Sequence, residues 1–164
     1  MHVRTPLRAG MRATVLVALA AVLAACGSST ATSSSSATGT ITAKDPWVKT
    51  AASGMTAAFV TLVNDSGSED VLVSAASSAA GMVQLHEMVM QDGQMVMQEK
   101  KGGIPVPAKG EAVLEPGGNH IMLMELKAPI KVGEQVAITL TFSSGATVQI
   151  EAAARDYDGG NESY

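Results

Sequence analysis

Residues 85–100 read Leu85-His86-Glu87-Met88-Val89-Met90-Gln91-Asp92-Gly93-Gln94-Met95-Val96-Met97-Gln98-Glu99-Lys100. An Asp-Gly pair between two alternating runs is a strong signal for a two-residue β-hairpin, whose tight turn needs positive φ at both central positions. Folding about Asp92-Gly93 sets Gln91 opposite Gln94, Met90 opposite Met95 and Met88 opposite Met97. Strand side chains alternate between faces. His86, Met88, Met90, Met95 and Met97 therefore share one face, with His86 diagonal to Met97. Glu87, Val89 and Val96 take the other face.

Outward from the hairpin, short β-branched or apolar runs recur between turn signals such as NDSGSE, KGGIPVP, EPGGN, KVGE and SSGA. They place strands at 41–48, 57–64, 70–74, 81–90, 94–100, 112–115, 120–126, 135–142 and 147–153. No run holds helical periodicity over three turns. The expected class is all-β, an antiparallel Greek-key sandwich or barrel of about 8–9 short strands. The aromatics are Trp47, Phe59, Phe142, Tyr157 and Tyr164, so Val, Leu, Ile, Ala and Met must fill the core.

A second stretch, Gly117-Gly118-Asn119-His120-Ile121-Met122-Leu123-Met124, places a histidine directly after a turn. His120, Met122 and Met124 share parity on their strand, and Ile121, Leu123 and Glu125 point the other way. Of the 3 histidines, only His86 and His120 fall in the strand-rich region, and both carry a methionine two residues on. If the two stretches meet, two imidazoles and two thioethers converge. Imidazole plus thioether without a nearby thiolate suits Cu(I). The competing reading of the same methionines is core packing, above all for Met82, Met95 and Met124.

Arg4, Arg8 and Arg12 followed by apolar 13–22 read as an export signal, too short to span a bilayer. Leu23-Ala24-Ala25-Cys26-Gly27 resembles the lipobox of bacterial lipoproteins. That resemblance implies removal of residues 1–25, lipidation of Cys26 and an extracytoplasmic, membrane-anchored location. Residues 27–40, GSSTATSSSSATGT, read as a flexible tether. Residues 41–154 form the expected domain, and 155–164 a polar, frayed tail. Cleavage removes three arginines and leaves 8 basic against 15 acidic residues, a formal charge of about −7. Such acidity argues against nucleic-acid binding. Cys26 is the sole cysteine, so the domain cannot hold a disulfide, a zinc-thiolate site or a blue-copper site, which needs a Cys thiolate. Neither histidine sits in a nucleophile-base motif, and no enzyme activity is expected.

In combination, these segments resemble the periplasmic copper chaperone family PCu(A)C. Its pattern is a His, ten residues, a Met, about twenty-one residues, then His-x-Met. His86, Met97, His120 and Met122 match it, with a Met97–His120 gap one residue longer than usual. The extra residue is expected in the loop at Lys100–Gly103. DPWVKT, LHEMVM, IPVPAKGEAVLEPGGNHIMLMEL and VAITLTF are also similar to the family, so the likeness spans 41–151. The resemblance implies a cupredoxin-like sandwich and a Cu(I) ion held near the surface by His86, Met97, His120 and Met122. Met88 and Met90 are candidate auxiliary ligands. It further implies delivery of copper to the binuclear centre of cytochrome c oxidase subunit II, with or without a Sco-type thiol partner, by a monomer. The alternative is extracytoplasmic copper storage or detoxification without delivery. Some family members add a His- and Met-rich tail; residues 155–164 contain neither type.

Overall fold

Apolar residues alternating with polar ones build ten strands in the computed structural model, which describes residues 41–158. They are β1 Ile41–Lys49, β2 Met55–Asn64, β3 Asp70–Ala76, β4 Ala80–Gln91, β5 Gln94–Glu99, β6 Ile104–Val106, β7 Gly110–Leu114, β8 His120–Leu126, β9 Gln135–Phe142 and β10 Thr147–Arg155. Among the described residues no helix forms. The all-β expectation holds, and both β8 and β9 begin and end where the sequence placed them.

The strand order is β5-β4-β8-β2-β1-β10-β9-β3-β6, with β7 also paired to β2. Neighbours far apart in sequence, such as β4 with β8, require the crossing connections of a Greek key. All strand pairs are antiparallel except β1 with β10. The main core gathers Val48, Ala58, Val60, Leu62, Leu72, Ile104, Ile121, Leu123, Ile138, Leu140 and Phe142. Burying a Val, Leu, Ile or Phe side chain stabilises the fold by roughly 1.5–3 kcal/mol.

Two expectations need correction. β6 is a tenth strand that the sequence reading left inside the separator KGGIPVP. It is three residues long and contains Pro105, which has no N–H to donate to a ladder. It forms because it lies at the end of the sheet order and pairs only with β3, Val71 opposite Pro105. The other is the frayed tail, since β10 runs to Arg155. Beyond it Thr50 Oγ1 donates to Asp156 Oδ1 at 2.6 Å, and Tyr157 packs against Trp47 with ring centroids 5.5 Å apart. The tail is therefore tied down through Tyr157. The expected signal segment, Cys26 and the tether lie outside the described residues.

One detail positions the site. Thr56 to Val60 are all buried, so β2 is covered on both faces there. Ala58 and Val60 face the main core. Ala57 and Phe59 face outward, joining Met122 in a second small cluster with Trp47, Met97 and Met124 packed against it.

Candidate metal centre

The hairpin closes at the expected register. Gln91 pairs with Gln94, Met90 with Met95 and Met88 with Met97. Asp92 and Gly93 both adopt left-handed backbone, with φ 50° and 82°. Lys100 fastens the far end: its amide donates to the Leu85 carbonyl at 2.8 Å, and its ammonium pairs with Glu87, which also accepts from Gln98 at 3.1 Å.

β4 is long enough to use both edges. Its second half pairs with β5 and its first half with β8, with His86 directly opposite His120. Beyond that point the Met88 amide donates to the Gly118 carbonyl at 3.3 Å. The turn 117–119 thus covers the part of the β4 edge that β8 does not reach.

All four candidate ligands lie on the outward face. The imidazoles of His86 and His120 meet edge to face, centroids 5.7 Å apart. His120 Nε2 lies 3.2 Å from Met97 Sδ. Met122 stands two residues beyond His120 and shares the outer cluster with Met97. His120 and Met122 are fully buried, whereas His86 and Met97 are half-buried. A ligand therefore enters past Met97 and His86. Met88 shares this face, half-buried, and Met90 is 67% exposed near the hairpin tip. Met95 and Met82 are also exposed, so neither is core filler; Met124 is partly buried against the outer cluster.

The hydrogen bonds set the tautomers. His120 Nδ1–H donates to the Gly118 carbonyl at 3.1 Å, which leaves Nε2 with its lone pair toward Met97. His86 Nε2–H donates to Gln84 Oε1 at 3.0 Å, which leaves Nδ1 with the lone pair. That Nδ1 is buried and has no partner. A buried polar atom without a partner is unfavourable by roughly 1–3 kcal/mol. Burial first, and then the neighbouring His120, hold His86 below the ordinary imidazole range, while Glu99 works in the opposite sense. The neutral, lone-pair-bearing form is favoured. Metal–nitrogen and metal–sulfur bonds run about 2.0–2.3 Å, so an imidazole nitrogen and a thioether sulfur 3.2 Å apart can share one ion. Among the described residues no group of three or more His, Cys, Asp or Glu gathers to hold a metal, so this face offers a soft donor set rather than a carboxylate cage.

The supports of these ligands carry no sequence motif. Gln84 sets the His86 tautomer. Trp47 and Phe59, with centroids 4.4 Å apart, form the floor beneath His120, whose ring centroid is 6.3 Å from that of Phe59. Gln84 shares a face with His86 two residues on along β4, whereas the place of Phe59 on the His120 and Met122 face follows only from the pairing of β2 with β8.

The LpqE-like lipoprotein family matches residues 41–154. Over 158 residues the chain is 42% identical to Lxx21020 of Leifsonia xyli subsp. xyli, a lipoprotein by its name, covering 94% of this chain and 95% of that one. Among solved structures, the Cu(I) form of DR1885 from Deinococcus radiodurans is 32% identical with a TM-score of 0.53, covering 76% of this chain and 85% of that one. The copper-bound PCuAC domain of PmoF2 is 23% identical with a TM-score of 0.59, covering 71% and 93%, and supports the fold.

Proposed function

The chain belongs to the LpqE-like lipoprotein family, and on that premise we propose that it is an extracytoplasmic Cu(I) chaperone. Its cargo is held by His86 Nδ1, Met97 Sδ, His120 Nε2 and Met122 Sδ. The observation that carries this reading is the convergence of two imidazoles and their thioether neighbours on one face, with one buried ring nitrogen left without a partner. The Cu(I) form of DR1885, at 32% identity, supports the choice of ion.

The chemistry is ligand exchange without bond-making catalysis. Soft neutral thioethers hold Cu(I) but yield to thiolate, which binds it more strongly. Of the two half-buried ligands, Met97 is the weaker-binding thioether and leaves first; His120 and Met122, both buried, hold the ion while an incoming ligand enters. Copper passes to the binuclear centre of cytochrome c oxidase subunit II, directly or through a Sco-type thiol protein. Residues 1–25 direct export, acylated Cys26 anchors a monomeric domain, and residues 27–40 give it reach. The test is deletion of the gene: oxidase activity falls and added copper restores it. Unchanged oxidase activity with heightened copper sensitivity would instead establish storage or detoxification, a reading favoured by the exposed sulfurs of Met90 and Met95 beside the half-buried Met88.

A further inference from the structure

Three methionines outside this centre line up across the sheet. Met55 on β2 is opposite Met124 on β8, and Met82 on β4 is opposite the same Met124 from the other side. Directly paired residues point to one face with Cβ atoms about 4.5–5.5 Å apart. Their face is the outward one, because Ala57–Met122–Gln84 is the next row on it and Phe59, His120 and His86 follow. Met55 and Met82 are 40% and 46% exposed, and Met124 is partly buried against the outer cluster. The row therefore has a partly buried central side chain and two accessible flanking ones, each with three rotatable bonds.

The row keeps its carboxylate neighbour away. Glu125 adopts left-handed backbone, φ 56°, and its side chain lies over Gly81, where an added Cβ would sit 2.4 Å from Glu125 Oε2. Gly81 precedes Met82 and so points to the opposite face. What remains on the row is a neutral set of three thioethers.

We propose that Met55, Met82 and Met124 form a second site, selective for a soft monovalent cation such as Cu(I) or Ag(I). Hard cations prefer oxygen ligands, and thioether donors select Cu(I). The site lies two strand rows, about 14 Å, from the histidine row, with Met122 midway. It stands on register and exposure alone and does not depend on the His86/Met97/His120/Met122 assignment.

The test is anaerobic titration of the detergent-solubilised full chain, carrying methyl-labelled methionine, with Ag(I) and in parallel with Cu(I). Met55, Met82 and Met124 methyl signals shift together in an equivalent separate from the one that moves Met97 and Met122. The double variant Met55→Leu/Met82→Leu preserves volume; it weakens that equivalent at least about tenfold and leaves the Met97 shift in place. His120→Ala does the reverse, so failure of one site is distinguishable from failure of the other. Met82→Leu alone, read on the Met124 methyl, serves if the double variant is unstable. Signals of Met55, Met82 and Met124 that stay fixed to saturation overturn the proposal. So does a second equivalent that moves only Met88, Met90 and Met95.

Discussion

At the scale of single residues, His86 carries the clearest consequence. Its folded-state affinity for a proton lies below the ordinary value of 6.5, chiefly through burial. As pH falls past that value, the unfolded chain takes up the proton first, and stability declines wherever the unfolded state binds more protons. The copper-free protein is therefore expected to lose stability below pH 6.5, and His86→Gln to flatten that dependence. Urea midpoints measured above and below this pH check it; equal slopes in both proteins would place the proton elsewhere. Gln84→Leu removes the acceptor for His86 Nε2–H and is expected to weaken Cu(I) binding without abolishing it, as orienting partners of metal-bound imidazoles typically do by 10–100-fold. His86 and His120 were legible as candidates because histidine is rare here, and Met97 because the Asp-Gly turn sets it diagonal to His86 on one face. Gln84 was not, because a polar residue on a strand face gives no signal of the hydrogen bond that its side chain makes.

Among the elements, the β4–β5 hairpin sets Met97 in place. Gly93 sits at φ 82°, and a Cβ there would meet nothing within 4 Å. Gly93→Ala should therefore destabilise through backbone strain alone, about 1–2 kcal/mol, and weaken Cu(I) binding because Met97 rides on β5. Gly103 offers the contrast. Its φ is 75°, and an added Cβ would sit 2.5 Å from the Leu72 carbonyl oxygen. Gly103→Ala should cost more stability than Gly93→Ala yet leave Cu(I) affinity in the folded protein unchanged, since its contact is with β3. Denaturant unfolding and a binding titration on both variants separate the two effects. The hairpin and its register were readable because Asp-Gly fixes both turn type and pairing. β6 was not, because Pro105 reads as a separator unless the strand is known to lie at an edge. The loop 100–103 is closed by the Gly103 amide donating to the Lys100 carbonyl at 3.0 Å, with Lys101 and Gly102 exposed at its tip.

For the molecule as a whole, long-range closure decides whether the face assembles. Asn64 is fully buried at the end of β2; its Nδ2 donates to the carbonyls of Ser68 at 2.8 Å and Val106 at 3.0 Å, and its Oδ1 accepts from the Ser66 amide at 2.9 Å. Asn64→Ala leaves the buried Val106 carbonyl without this donor, at about 1–3 kcal/mol, and removes the part-buried bonds to Ser66 and Ser68. Thermal unfolding should show a lowered midpoint with the Cu(I) site intact in the folded fraction. No such closure was visible in the chain, where Asn64 reads as the start of a turn. Nor was the pairing of β4 with β8, which brings His86 against His120 across a long separation; the sequence supplied the faces and parity, and sheet order supplied the neighbour. The most direct test of the whole account is an anaerobic Cu(I) titration of the full chain against a competing chelator, repeated on His86→Ala, Met97→Ala and His120→Ala. The account predicts one tight equivalent that each substitution weakens at least tenfold, about 1.4 kcal/mol. A chain that cannot compete for Cu(I), or one whose tight binding survives all three substitutions, would contradict it.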